Sequence, residues 1–227
     1  MSAIVVVDLQ EDFLPENGSL AVKDGRDIIE PIMKLLDLKW NSIIVTKDWH
    51  PSNHNSFVSQ HDGVQPFTNL IFNHPLGEID GDGNPITQSL TIWPDHCVQD
   101  TPGAQLESKF SQKFEQITTP KIVVNKGYLQ DREYYSCFRD CWKLHYTELK
   151  DYLTDNGIKD VVFVGLAYDY CVLNSAIDCQ SLGFNSYVVK SCCKSVQPSN
   201  DNATDKLYEN AGVKIITEDD VTKLSLV

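Results

Sequence analysis

Residues 161–182, VVFVGLAYDYCVLNSAIDCQSL, constrain this chain more than any other stretch. Val161, Val162, Phe163 and Val164 are β-branched or aromatic and uncharged, the pattern of a strand buried on both faces. Gly165 is expected to end that strand. Leu173, Ala176, Ile177 and Leu182 then recur at helical spacing. A doubly buried strand that runs straight into a helix belongs to a parallel sheet covered by helices. Cys171 falls where the helix begins. A thiol there meets the partial positive charge and unpaired N–H groups of a helix start, which lower its pKa toward the nucleophilic thiolate. A plain core thiol is the competing reading, because free cysteine is among the most buried residue types.

The same alternation recurs along the chain. Short apolar strands are expected at 3–7, 42–46, 121–124, 186–189 and 213–216. Helical spacing is expected at 27–38, 104–114, 146–156 and 202–210, with Gly157 closing the third of these in the C′ position. Strands alternating with helices imply an α/β fold: a parallel sheet with helices on both faces and right-handed crossovers. Residues 49–102 show no sustained period and are rich in His, Asn, Gly, Pro and Asp, as a functional loop region would be. Within them, residues 77–88 read as an exposed, mobile insertion. Residues 131–145 match neither period.

At 227 residues the chain suits one large domain spanning 1–227. Its formal net charge of −13 repels phosphate backbones and anionic lipid, so neither nucleic acid nor membrane is expected as a partner. No apolar run approaches a spanning length. The start enters a strand directly, without the pattern of a signal peptide. Seven irregularly spaced cysteines without a C-x-x-C suit free thiols in a reducing setting. The ending Leu224-Ser225-Leu226-Val227 is not a standard peroxisomal signal, so a cytoplasmic location is the default expectation.

Ligands of such sheets bind at the carboxyl ends of the strands. Asp8, Asp48, Lys126 and Cys171 each stand at such an end. One polar residue there would be ordinary; four with complementary chemistry point to a site. Lys126 supplies a cation beside the thiol, Asp8 can take its proton and pass it to a leaving group, and the turn after Gly165 offers N–H groups to an oxyanion. That set suits amide hydrolysis. Separately, Asp48 and His50 alternate along an extended segment, which sends both side chains to one side, and His54, His61, His74 and His96 follow. One carboxylate and two imidazoles suit zinc, iron or manganese, although a solvated His-rich loop would read the same way.

The runs VVVDLQEDF (5–13), KDWHPSNHNSF (47–57), WPDHCVQDTPGA (93–104), NKGYLQDREYYS (125–136) and VGLAYDYCV (164–172) together resemble the nicotinamidase and pyrazinamidase branch of the isochorismatase-like cysteine hydrolases. DREYYS is most like the eukaryotic, fungal members. The resemblance implies a six-stranded parallel sheet in an α/β/α sandwich. It implies hydrolysis of nicotinamide to nicotinate and ammonia through a cysteine thioester, with Asp8, Lys126 and Cys171 as the catalytic triad. It implies one divalent metal ion, zinc first, on Asp48, His50 and His96, with His54 secondary. It implies a cis peptide between Leu166 and Ala167, an oxyanion hole from the Ala167 and Cys171 amides, and a substrate ring held among Phe13, Trp93, Tyr135 and Tyr170. Cys97 belongs to the motif without a role of its own, and the remaining cysteines are incidental. Relatives with this triad cleave other amides, and a non-catalytic metal- or thiol-binding protein is the reading from a different class. Homo-oligomer formation is compatible with all of these.

Overall fold

The computed structural model describes residues 1–225. Six parallel strands form the central sheet: β1 (Ser2–Val7), β2 (Ser42–Asp48), β5 (Lys121–Lys126), β6 (Asp160–Leu166), β7 (Asn185–Lys194) and β8 (Lys214–Ile216). Their spatial order is β5-β2-β1-β6-β7-β8. The chain builds outward from β1 through β2 to β5, then returns to the other side of β1 with β6. The switch in strand order therefore lies between β1 and β6, where Asp8 and the segment leading to Cys171 emerge.

Side-chain alternation splits the core into two layers, one on each face of the sheet. Ile4, Val6, Ile43, Val45, Val162 and Val164 pack into one; Ala3, Val5, Val7, Ile44, Val161 and Phe163 pack into the other. Helices α1 (Ile29–Leu36), α2 (Ser108–Gln116), α3 (Leu149–Asp155), α4 (Cys171–Ser181), α5 (Asp201–Asn210) and α6 (Glu218–Ser225) connect or follow the strands. This matches the α/β sandwich expected from sequence.

Several boundaries differ from expectation, each for a local reason. The 27–38 helix is a 3-10 turn (Gly25–Ile28) followed by α1, whose first turn tolerates Pro31 because N–H groups there have no intrahelical acceptor. The 104–114 helix begins later, where the Glu107 carboxylate accepts from Phe110 N–H at 2.8 Å. The 121–124 strand extends to Lys126, which pairs in register with Asp48. Gly165 does not end β6. The strand continues to Leu166 while Gly165, at φ 116°, sits so close to the Val7 carbonyl that a Cβ would collide with it, and the register to β7 shifts here.

Residues 49–102 are not all loop. β3 (Asn69–Asn73) and β4 (Thr87–Thr91) form an antiparallel hairpin whose exposed turn holds most of the 77–88 insertion, with Thr87 and Gln88 in the return strand. Residues 131–145 are irregular and held from within: the Asp140 carboxylate accepts from the N–H groups of Trp142, Leu144 and His145. Helix α6 was not expected from sequence, and the last part of the 224–227 ending lies outside the described residues. Among the described residues no helix is long and apolar enough to cross a membrane.

Candidate active site

The structure brings all four strand-end residues together. Asp8 follows β1 with φ 48°; Asp48 and Lys126 are the last residues of β2 and β5; Cys171 is the first residue of α4. Lys126 is fully buried. Its ammonium lies 2.5 Å from Asp48 Oδ1, 2.9 Å from Asp8 Oδ2, 3.1 Å from the Tyr134 carbonyl and 3.3 Å from Cys171 Sγ. Burial works against that charge, but the two carboxylates and the sulfur outweigh it and hold Lys126 well above the ordinary lysine range. Asp8 Oδ1 accepts a 2.5 Å hydrogen bond from the Thr46 hydroxyl, leaving Oδ2 for Lys126. Burial raises the Asp8 pKa, Lys126 opposes the rise, and Asp48 adds to it.

One expectation is corrected here. The Cys171 thiol is not depressed below its ordinary range. Burial pushes it well above, with Lys126 pulling down and Asp8 and Asp48 pushing up. Burial is the largest influence on the sulfur, and Lys126 offsets it only in part.

Beside Asp8, Lys126 and Cys171 stand the candidate metal donors. Asp48 Oδ2 lies 3.6 Å from His50 Nε2 and 3.8 Å from His96 Nε2. His50 Nδ1 donates to the Gly127 carbonyl at 2.8 Å and His96 Nδ1 to the Pro94 carbonyl at 2.7 Å. Those bonds set both tautomers and turn both Nε2 lone pairs toward Asp48, as in histidine metal sites. His50 Nε2 is buried without a hydrogen-bond partner. An orphaned imidazole nitrogen facing a carboxylate fits a divalent cation. Gly127, at φ 71°, makes room for the His50 ring, which a Cβ there would strike.

Two other donor groups are close enough to be considered: His50, His54 and Glu133, and Asp8, Asp48 and Cys171. His54 spends its nitrogens on the Ser56 hydroxyl at 2.8 Å and the Arg132 carbonyl at 3.1 Å. Asp8 and Cys171 are already gathered by Lys126. The Asp48, His50 and His96 group is therefore the best cation site.

Cys171, Asp48 and His96 open into a narrow pocket of about 410 Å³, mouth included, while Asp8, Lys126 and His50 lie buried behind them. The four aromatics anticipated from sequence, Phe13, Trp93, Tyr135 and Tyr170, all line it. Trp93 meets Tyr170 edge-on at 4.9 Å between centroids and donates its indole N–H to the Tyr135 hydroxyl at 3.3 Å. The Leu166–Ala167 peptide is cis, and Ala167 and Cys171 both line the pocket. The Ala167 carbonyl accepts from Tyr170 and Val172 N–H groups, both at 3.1 Å, and so fixes the turn between strand and helix. Leu20, Val22, Val196 and the buried Glu133 line the pocket too and were not singled out from sequence. Glu133 could have been, since it lies within the DREYYS run.

Comparison with known proteins agrees with this geometry. The isochorismatase domain family matches residues 2–220. The chain is 40% identical over 193 residues to the nicotinamidase of Saccharomyces cerevisiae, covering 83% of this chain and 86% of that protein. The crystal structure of the yeast nicotinamidase bound to the inhibitor nicotinaldehyde superposes with a TM-score of 0.86 at 33% identity, over 96% of this chain and 100% of that one. The pyrazinamidase of Pyrococcus horikoshii in complex with zinc superposes with a TM-score of 0.69 at 29% identity, over 95% and 98% of the two chains.

Proposed function

Since this chain belongs to the isochorismatase family, we propose that it is a nicotinamidase, hydrolysing nicotinamide to nicotinate and ammonia. The observation that carries this reading is the gathering of Asp8, Asp48 and Cys171 around Lys126, with His50 and His96 facing the other Asp48 oxygen and Cys171, Asp48 and His96 opening into an aromatic-lined pocket.

The residues suggest a sequence of steps. Trp93, Tyr135, Tyr170 and Phe13 enclose the pyridine ring and place the carboxamide over Cys171. Asp8 Oδ2 takes the thiol proton while Lys126 stabilises the forming thiolate. The sulfur attacks the amide carbon, and the oxyanion is received by the Ala167 and Cys171 backbone N–H groups. Protonated Asp8 gives its proton to the departing nitrogen, the C–N bond breaks, and ammonia leaves a thioester. Asp8 then deprotonates a water that attacks the same carbon, and the C–S bond breaks to release nicotinate and the thiol. Asp48, His50 and His96 would hold a divalent ion, for which zinc suits the two imidazoles and one carboxylate. When bound, the ion would act as a Lewis acid for the ring nitrogen. Nicotinate so formed would enter pyridine nucleotide salvage.

The test is ammonia release from nicotinamide by the purified protein, with Cys171→Ala as control. Loss of a nucleophile that works as part of a unit typically removes several orders of magnitude, on the scale of ~10⁴ or more. A wild-type rate no higher than the Cys171→Ala rate would defeat the proposal.

A further inference from the structure

We infer that Gln10 is a positioning residue that sets Asp48 for metal binding, an inference that rests on Asp48 being a metal ligand. The pairing of β1 with β2 runs from Ala3↔Ser42 to Val6↔Val45 and then stops, because the chain turns away after Asp8. On that side the end of β2 has lost its ladder partner, while β5 still pairs with it on the other. The Gln10 side chain fills the gap. Its Oε1 accepts from Asp48 N–H at 2.8 Å, and its Nε2 donates to the Asp48 carbonyl at 2.8 Å and to the Ala104 carbonyl at 3.0 Å. A carboxamide that pairs with both the N–H and C=O of one residue imitates a neighbouring strand.

This matters because the Asp48 carboxylate must face two ways, Oδ1 toward Lys126 and Oδ2 toward His50 and His96. A small turn of the backbone would lose one of them. Gln10 is itself anchored: it is fully buried, Glu11 N–H donates to the Gln105 carbonyl at 2.9 Å, and Glu107 N–H donates to the Leu9 carbonyl at 2.9 Å. With both amide atoms committed, Gln10 has nothing to offer substrate. Its effect passes through Asp48.

The experiment measures zinc affinity of the purified full chain by chelator competition, and the visible spectrum of the cobalt-loaded protein, for wild type, Gln10→Glu, Gln10→Met and Asp48→Ala. Gln10→Glu keeps the acceptor for Asp48 N–H but cannot donate to two carbonyls; Gln10→Met keeps the length and removes the polar atoms. Supporting groups behind metal ligands typically change affinity by ~10–100-fold, and a weakening of that size is expected in both Gln10 variants, with an altered cobalt band. Circular dichroism of the metal-free proteins identifies the folded variants, and if Gln10→Met does not fold, Gln10→Glu decides. Wild-type affinity and cobalt spectrum in a folded Gln10 variant would overturn the inference while Asp48→Ala loses metal. If Asp48→Ala itself keeps full affinity, the ligand assignment fails, and this inference with it.

Discussion

Asp48 and Lys126, in register at the ends of neighbouring strands, are joined by a 2.5 Å contact between carboxylate and ammonium. The other carboxylate oxygen faces the two histidines, so the ammonium beside Cys171 and the candidate metal site share one residue. Asp48→Asn should therefore do two things at once. Metal affinity should fall by at least the ~10–100-fold seen for weaker supporting changes. The Cys171 alkylation rate should change as well, because Lys126 loses one counter-charge and turns more fully to the sulfur. Metal titration and iodoacetamide kinetics on the metal-free protein read these effects separately. A metal defect with unchanged thiol reactivity would show that the two halves are independent.

Asp8→Asn should cost activity and spare stability. Burial is the largest influence on Asp8 and raises its pKa above the ordinary 3.8. A carboxyl raised on folding contributes stability that is present below 3.8 and lost as pH rises through its folded value. At neutral pH the raised pKa therefore opposes folding, and a neutral isostere removes that burden. We expect turnover to fall by ~10³-fold or more, as for loss of a catalytic base within such a unit, with a thermal midpoint at or above wild type. A midpoint lower by more than about 5 °C, some 1–2 kcal/mol for a chain of this size, would mean that the ion pair with Lys126 outweighs burial.

His54 gives the metal-free fold an acid-sensitive window. Burial, with His50 nearby, lowers its pKa from 6.5 to about 4. The unfolded chain thus binds a proton that the folded chain refuses between those values. The stability from this group is complete above 6.5 and declines as pH falls toward 4. Urea unfolding across that range should show the slope, and His54→Gln should flatten it. An unchanged slope in the variant would assign the acid sensitivity elsewhere.

Trp93 and Tyr170 should matter for binding more than for chemistry. Trp93 braces both neighbouring rings, and among the described residues no side-chain hydrogen bond joins Trp93 or Tyr170 to Asp8, Lys126 or Cys171. Tyr170→Leu should raise KM for nicotinamide by roughly tenfold, near the 0.5–1.5 kcal/mol of an aromatic pair, with kcat changed less. A fall in kcat at constant KM would place Tyr170 in the chemical step instead.

What sequence reading could reach follows a physical line. Central strands such as 161–164 were legible because burial on both faces leaves an uninterrupted apolar run. The hairpin of β3 and β4 was not, because Asn69, Ile71 and Asn73 face outward and Thr87, Gln88 and Ser89 are polar, so no apolar face stands out. Asp8, Lys126, Cys171, Asp48, His50 and His96 stood out in the sequence because their chemistry is intrinsic to the residue type, and the structure brings them together. Gln10 and Thr46 were not, since an amide or a hydroxyl acquires a role only from the partner it meets, Asp48 for one and Asp8 for the other. The raised Cys171 pKa also escaped, because depth of burial is a property of the assembled fold.

The groups proposed to do the chemistry stand at strand ends and at the start of α4, whereas Leu20, Val22 and Val196 line the pocket beside Cys171 from connecting segments outside the sheet. This division separates reactivity from selectivity. Enlarging or trimming those three aliphatic side chains should retune which ring substituents are admitted while the sulfur, its base and its cation keep their places. A library aimed at bulkier heteroaromatic amides would begin at these positions.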